Sequence, residues 1–314
     1  MRRPALPLLG ALAAALLAPG PSPATAAGET DDDRVLLDER GTVRLHGTYL
    51  GRLSRVEIDG VGGDWRVDLD AGTLEVDGTS SVLRGFTGLD VRELDWASLT
   101  VRGTTYDDSV ALGSPDDPNG LLGRPASISL LGGDDAVYVG PGVPPVLRLG
   151  PGEDLLHLTG RSDNATAPDV AVDLPDRRLE IRLDGVRRTS LLAAVESVTA
   201  RQVARLTFVG DGRANELVTY ACHVSARLGG GPDQFLGFAP GYLAEPEGYG
   251  YKGCPTGRTG AVVRGGGGND RLLGTHVDDV LVGGGGRDRL DGRNGTDTCR
   301  QARTYRRCEI VPGR

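Results

Sequence analysis

Residues 265–300 read, in consecutive blocks of nine, GGGGNDRLL, GTHVDDVLV, GGGGRDRLD and GRNGTDTCR. Every block opens with Gly and carries Asp in its sixth place, and its eighth place is Leu or, in the last block, Cys299. A fixed period indicates one structural unit that buries its apolar residue by stacking on the next unit. The Gly-rich part of a block suits a turn, and the apolar eighth place suits a short strand with an inward side chain.

Two blocks make one coil of 18 residues, so we expect Asp270 to lie over Asp288 and Asp279 over Asp297. Parallel strands lie about 4.8 Å apart. Two carboxylates at about that distance repel by about 3 kcal/mol at an effective dielectric constant near 20. The stacking therefore predicts cations between the carboxylates. Oxygen ligands from Asp and from Gly carbonyls favour Ca²⁺ over zinc or copper.

These blocks resemble the RTX (haemolysin-type) calcium-binding repeat, GGxGxDxUx. The first and third blocks match this motif in full, whereas Thr275, Val277, Arg293 and Cys299 depart from it in the other two. The resemblance implies a parallel β-roll that holds Ca²⁺ between its turns. The metal-binding residues predicted on this basis are Asp270, Asp279, Asp288, Asp297, Gly265, Gly267, Gly274, Gly283, Gly285 and Gly292.

The chain before the repeat consists of short β-type runs broken by Gly and Asp, which favours an all-β fold. Eroded copies of the repeat place Asp108, Asp135, Asp154 and Asp233 in turns, where we expect structural residues rather than calcium ligands. Residues 190–198 fit either a short helix or a strand. The predicted fold is a parallel β-roll or β-solenoid, with 18-residue coils at the C-terminus and degenerate coils before it. Its predicted parts are a signal peptide (1–26), a degenerate solenoid (27–236), an inserted loop (237–263), the calcium-binding roll (264–300) and a disulfide-closed cap (301–314).

The first residues of the chain are typical of an export signal. Arg2 and Arg3 precede an apolar run at 8–17, and small residues end the segment at Ala24-Thr25-Ala26. The apolar run is too short for a membrane span, so we expect a secreted protein without a membrane anchor. Removal of Arg2 and Arg3 with the signal would leave 33 basic and 43 acidic residues, a net charge of −10. This charge disfavours nucleic acid or an anionic membrane as a partner and suits cation binding. We expect no membrane insertion. A polysaccharide or protein partner outside the cell stays open.

The four cysteines fit an oxidising compartment. Cys299 and Cys308 are close in sequence and would close the last coil. Cys222 and Cys254 would then tie the inserted loop to the coil before it. The spacings of these cysteines match no zinc motif.

The sequence offers no HExxH, GxSxG or phosphate-loop motif. We therefore expect a non-enzymatic calcium-binding repeat protein that folds or is stabilised on binding Ca²⁺. The alternative is a β-helix lyase or epimerase acting on acidic polysaccharide, with the repeats as an accessory. Its carboxylates would come from Asp107, Asp108, Asp134 and Asp135.

Overall fold

The computed structural model of the chain describes residues 34–37, 41–46, 55–60, 63–82, 88–91, 97–112, 125–140, 145–160, 167–238 and 260–312. The predicted signal peptide (1–26) and most of the predicted loop (239–259) lie outside these ranges. All regular structure within them is β-strand. None of the chain described here forms a helix with the length and hydrophobicity that crossing a bilayer requires.

The described strands, in chain order, are β1 (Arg34–Leu37), β2 (Gly41–His46), β3 (Arg55–Gly60), β4 (Asp64–Asp68), β5 (Thr73–Val76), β6 (Thr79–Val82), β7 (Gly88–Val91), β8 (Ser98–Arg102), β9 (Ser109–Leu112), β10 (Ala126–Ser129), β11 (Ala136–Val139), β12 (Val146–Arg148), β13 (Leu155–Thr159), β14 (Asp169–Asp173), β15 (Arg178–Leu183), β16 (Val186–Ala193), β17 (Ser197–Arg201), β18 (Arg205–Val209), β19 (Glu216–Thr219), β20 (His223–Gly230), β21 (Gln234–Gly237), β22 (Gly260–Gly267), β23 (Arg271–Leu273), β24 (Val280–Gly285), β25 (Arg289–Asp291), β26 (Thr298–Arg300) and β27 (Thr304–Arg306).

The strands form two sheets, between which the chain alternates. The first sheet has the order β1-β2-β3-β7-β9-β11-β13-β17-β19-β21-β23-β25-β27. From β3 to β27 its ladder is parallel and unbroken. The second sheet has the order β26-β24-β22-β20-β18-β14-β15-β16-β12-β10-β8-β4-β5-β6. This architecture confirms the predicted all-β fold built from parallel solenoid coils.

The coil length at the C-terminus is the predicted 18 residues. Leu272 lies beside Leu290 in the first sheet, and Leu281 lies beside Cys299 in the second. All four side chains are at most 1% exposed, as the inward eighth place requires. Strand β22 begins at Gly260, inside the range predicted as loop, because its buried Val263 continues the same column and pairs with Leu281.

The core is a narrow column of aliphatic side chains between the two sheets. Its strands alternate buried and exposed residues, as in β4 and β18, because successive side chains of a strand point to opposite faces. The largest fully buried side chains are Trp65, Phe208 and Phe235. Such a column buries apolar area only through contacts between neighbouring coils, so each coil depends on the next.

Three segments depart from the predicted succession of coils. Strands β1–β3, β4–β6 and β14–β16 are antiparallel meanders, the last of which is inserted between two coils. Two of their hairpins turn at Asp77-Gly78 and Asp184-Gly185, where both residues have positive φ. Residues 190–198, left open by the sequence, are the end of β16, a turn and the start of β17.

The C-terminal cap closes the last coil through the predicted disulfide Cys299–Cys308. The Cys299 amide also donates to the Ile310 carbonyl (2.9 Å), and the Ile310 amide donates to the Asp297 carbonyl (3.0 Å). Cys222 is disulfide-bonded as well. Its predicted partner, Cys254, lies outside the described residues.

Candidate metal site

A row of buried polar side chains follows one edge of the solenoid. Each member directly precedes a strand of the first sheet, so the parallel register stacks the members coil upon coil. This first row consists of Asp108, Asp135, Asp154, Glu196, Asn215, Asp233, Asp270 and Asp288. No member is more than 7% exposed.

Backbone amides occupy one oxygen of the carboxylates along this row. The Asp270 amide donates to Asp288 Oδ1 and the Asp233 amide to Asp270 Oδ1, each at 3.0 Å. Equivalent bonds join Asp108 to Asp135 and Asp135 to Asp154. The sequence suggested that cations alone could offset the stacked negative charge. The structure adds an N–H donor between successive carboxylates, which offsets part of the repulsion.

The second carboxylate oxygen has no such donor at most of these positions. Among the described residues, Oδ2 is buried and without a hydrogen-bond partner at Asp135, Asp154, Asp233, Asp270, Asp288 and Asp297. A buried acceptor left unsatisfied costs about 1–3 kcal/mol. Burial raises the pKa of Asp270 to about 6 and that of Asp233 to about 8. A cation beside any of these oxygens would give it the partner that it lacks.

The first glycine of each block makes room for the carboxylate of the same block. A Cβ added to Gly265 would overlap Asp270 Oδ2 and would lie 2.7 Å from the Gly283 carbonyl oxygen of the next coil. A Cβ on Gly283 would lie 2.5 Å from Asp288 Oδ2 and would overlap the Gln301 carbonyl oxygen. A carboxylate oxygen and a carbonyl oxygen from successive coils thus share one small space at each of these glycines.

A second, shorter row follows the opposite edge of the C-terminal coils. The Asp279 amide donates to Asp297 Oδ1 (2.8 Å), and the Asp297 amide donates to Glu309 Oε2 (2.8 Å). Gly274 and Gly292 lie against the Asp279 and Asp297 carboxylates just as Gly265 and Gly283 do in the first row. The four predicted aspartates are therefore brought together in two stacks, 270 with 288 and 279 with 297.

Asp279 differs from the other three aspartates because Thr275 donates hydrogen bonds to both of its carboxylate oxygens. The Thr275 amide donates to Asp279 Oδ2 (2.5 Å), and the Thr275 hydroxyl bonds to Asp279 Oδ1 (2.9 Å). Thr104 makes the same two kinds of bond to Asp108 in an N-terminal coil. The sequence treated Thr275 as a departure from the motif. The GTxxDD pattern shared by 103–108 and 274–279 was the signal of a turn that satisfies its own aspartate.

The predicted glycines have unequal roles. Nothing lies within 4 Å of a Cβ placed on Gly267, and the nearest atom to one on Gly285 is 3.9 Å away. Four glycines that sequence reasoning left out have positive φ, and a Cβ added to any of them would overlap a carbonyl oxygen one coil away; they are Gly266, Gly268, Gly284 and Gly286. They occupy the second and fourth places of the motif. Because the motif requires Gly at these places, the sequence already contained the signal that identifies them.

The donor atoms at the Asp270–Asp288 stack fit a calcium-type cation. In the part of the chain that is described, no three His, Cys, Asp or Glu side chains converge on one point. Any ligand set there would combine carboxylate oxygens of successive coils with main-chain carbonyls. That all-oxygen set suits Ca²⁺ and does not suit zinc or copper.

Of the four carboxylates considered for polysaccharide chemistry, two are exposed and two are buried. Asp107 and Asp134 are exposed, whereas Asp108 and Asp135 are 2% and 1% exposed and belong to the first row. His157 lies on β13 with its ring centroid 5.2 Å from that of Tyr138, and burial lowers its pKa to about 4. His157 is therefore neutral at pH 7.

No protein-family model matches this chain, and no curated protein matches it.

Proposed function

We propose that this protein is a secreted, non-enzymatic calcium-binding repeat protein whose C-terminal turns bind Ca²⁺ and are stabilised by it. The observation that carries the proposal is the stack of Asp270 over Asp288. Both side chains are at most 2% exposed, and each has one carboxylate oxygen without a partner. Secretion is supported by the export signal predicted at 1–26 and by the Cys299–Cys308 disulfide, because disulfides persist in oxidising compartments.

In this proposal the two carboxylate oxygens of each aspartate have different roles. Oδ1 of Asp288 accepts the Asp270 amide and so fixes the carboxylate within the row. Oδ2 stays available, and the missing side chain of Gly283 leaves room for it. When bound, Ca²⁺ supplies positive charge that offsets the repulsion between carboxylates and the cost of their unpaired oxygens. Binding energy then becomes folding energy for the coils that contribute ligands.

The test is calorimetric titration of Ca²⁺ into the wild-type chain and into Asp288→Asn. Asn keeps an oxygen for the Asp270 amide but replaces the second oxygen with NH₂, which cannot ligate a cation. The native Asn215 indicates that the row accepts a neutral amide side chain. We expect the wild-type chain to bind with a dissociation constant of roughly 10⁻⁴ to 10⁻³ M and the variant to lose that binding event.

The matched control is Asp278→Asn, which removes the same charge from a neighbouring turn. Asp278 is exposed, and its Oδ1 accepts the Thr296 amide at 2.8 Å, which Asn can also do. Calcium binding equal in Asp288→Asn and Asp278→Asn, or no binding by the wild-type chain, would overturn the proposal.

A further inference from the structure

The N-terminal coils carry a second concentration of carboxylates, in turns whose sequences have lost the nonapeptide motif. We call it the acidic edge and define it by Asp107, Asp134 and Glu153 on the outside and Asp108, Asp135 and Asp154 on the inside. The outer three are exposed, and the inner three are at most 2% exposed. The acidic edge thus stacks two carboxylates from each of three successive coils.

Hydrogen bonds hold both layers of the acidic edge in register. In the outer layer, the Asp134 amide donates to Asp107 Oδ1 and the Glu153 amide donates to Asp134 Oδ1, both at 2.9 Å. In the inner layer the bonds run the opposite way along the coil axis, from the Asp135 amide to Asp154 Oδ1 at 3.0 Å. The carboxylates are therefore fixed by the backbone before any ligand binds.

The inner layer contains the unsatisfied atoms that a ligand would need to meet. Oδ2 of Asp135 and Oδ2 of Asp154 are buried and have no hydrogen-bond partner. Asp154 itself is fully buried. Main-chain oxygen lies close by, since a Cβ on Gly152 would overlap the Gly133 carbonyl oxygen and would lie 3.2 Å from Asp154 Oδ1. The turn therefore offers carboxylate and carbonyl oxygen together.

The charge around the acidic edge is not balanced by nearby cations. In the described ranges, none of its six carboxylates forms a salt bridge, and Arg213 pairs with the next member of the row, Glu196, at 2.9 Å. The C-terminal stack differs, because Arg287, Arg289 and Arg303 line the cavity of about 280 Å³ beside Asp288. Neighbouring carboxylates with few cations raise the local concentration and affinity of divalent ions.

We propose that the acidic edge is a second cation site of this protein and takes a divalent, oxygen-seeking ion of the Ca²⁺ class at Asp135 and Asp154. The outer carboxylates attract the ion and hold its hydration shell, and the inner oxygens ligate it. The site goes beyond the proposed C-terminal function and does not depend on it.

Native mass spectrometry of the intact chain with added Ca²⁺ tests the site by counting bound ions. Asp154→Asn keeps the acceptor for the Asp135 amide and removes the second oxygen. We expect it to lose one ion relative to Asp176→Asn, a control that removes an exposed carboxylate from the β14–β15 hairpin. Asp288→Asn should lose a different ion and keep the one at the acidic edge.

The double variant Asp134→Asn/Glu153→Gln decides the matter if Asp154→Asn does not fold. Its changes are on exposed side chains, and the asparagine introduced at position 134 would still accept the Glu153 amide. We expect the affinity of the acidic edge to fall roughly 10- to 100-fold, as for other outer carboxylates of metal sites. An unchanged ion count and affinity in the folded variants would overturn this site. Retention of every ion by Asp288→Asn alone would count against the C-terminal function instead.

Discussion

The two oxygens of each stacked aspartate are in different situations, and this difference underlies the whole account. Oδ1 of Asp288 is bonded to the Asp270 amide, while its Oδ2 is buried without a partner. The glycine in the first place of the block is the residue that permits this arrangement. Glycine is needed at position 283 for the space that it leaves and not for its backbone freedom, since Gly283 does not have positive φ.

Gly283→Ala should destabilise the protein by about 1–3 kcal/mol, the usual cost of overpacking. The new Cβ would lie 2.5 Å from Asp288 Oδ2 and would overlap the Gln301 carbonyl oxygen, so the carboxylate must move. Gly285→Ala is the control, because its Cβ would come no closer than 3.9 Å to other atoms. Urea denaturation in the presence of Ca²⁺ measures both. Equal losses of unfolding free energy for the two variants would show that the need for glycine is not specific to the first place of the block.

The turns that end in a buried aspartate are of two types. Gly-type turns, such as 265–270 and 283–288, leave Oδ2 of the sixth-place aspartate open. Thr-type turns, at 103–108 and 274–279, satisfy both oxygens of that aspartate through the Thr amide and hydroxyl. At Asp279 the Ala261 amide also donates to Oδ1. Only the Gly type has an oxygen left over for a cation.

Thr275→Val, measured in chelator, should cost about 1–3 kcal/mol, because it removes the hydroxyl from a buried carboxylate while keeping the side-chain shape. Thr296→Val is the matched control, since Thr296 is exposed and only its amide, which Val retains, donates to Asp278. Thermal unfolding compares the pair. A Thr275→Val chain as stable as the control would mean that the hydroxyl does not stabilise the turn.

The sequence predicted the coils well where the period is strict. Because each nonapeptide carries one inward apolar residue, the register of Leu272 with Leu290 follows from spacing alone. The antiparallel meanders were missed because their strands have the same alternation as coil strands. Asp77-Gly78 and Asp184-Gly185 were the available signals, since Asp-Gly favours the tight turns of hairpins.

The site was predicted only in part for a related reason. Residue spacing shows which carboxylates stack, but it does not show where backbone amides point. The bond from the Asp270 amide to Asp288 Oδ1 depends on the conformation of the turn. For the same reason, spacing did not predict the unsatisfied buried oxygens of Asp135 and Asp154, which were expected to be structural turn residues.

Across the whole molecule, the first row brings buried carboxylates from most coils to one edge of an acidic chain. Chiefly through burial, the pKa is raised to about 7 for Asp135 and Asp154 and to about 8 for Asp233. The free energy of folding therefore depends on what neutralises this edge. Protons and divalent cations compete for the same oxygens.

In chelator, stability should fall as the pH rises from about 4 to about 8. The folded-state pKa values of Asp135, Asp154 and Asp233 lie above the unfolded value of about 3.9, so the native state binds more protons in this window. His157 acts oppositely between about pH 4 and pH 6.5, because burial lowers its pKa to about 4. Asp291 acts oppositely at lower pH, because Arg307 lowers its pKa. The three carboxylates outweigh both groups. Thermal unfolding at pH 5 and pH 8 measures how stability changes with pH. Greater stability at pH 8 than at pH 5 in chelator would contradict the prediction. Saturating Ca²⁺ should flatten the profile.

The most direct test of the central claim is anomalous diffraction from crystals grown with Ca²⁺, or with a lanthanide in its place. We expect an anomalous peak within bonding distance of Oδ2 of Asp270 or Asp288, and a second beside Asp135 and Asp154. Density in which these oxygens contact only protein atoms or water, in crystals saturated with the ion, would contradict it.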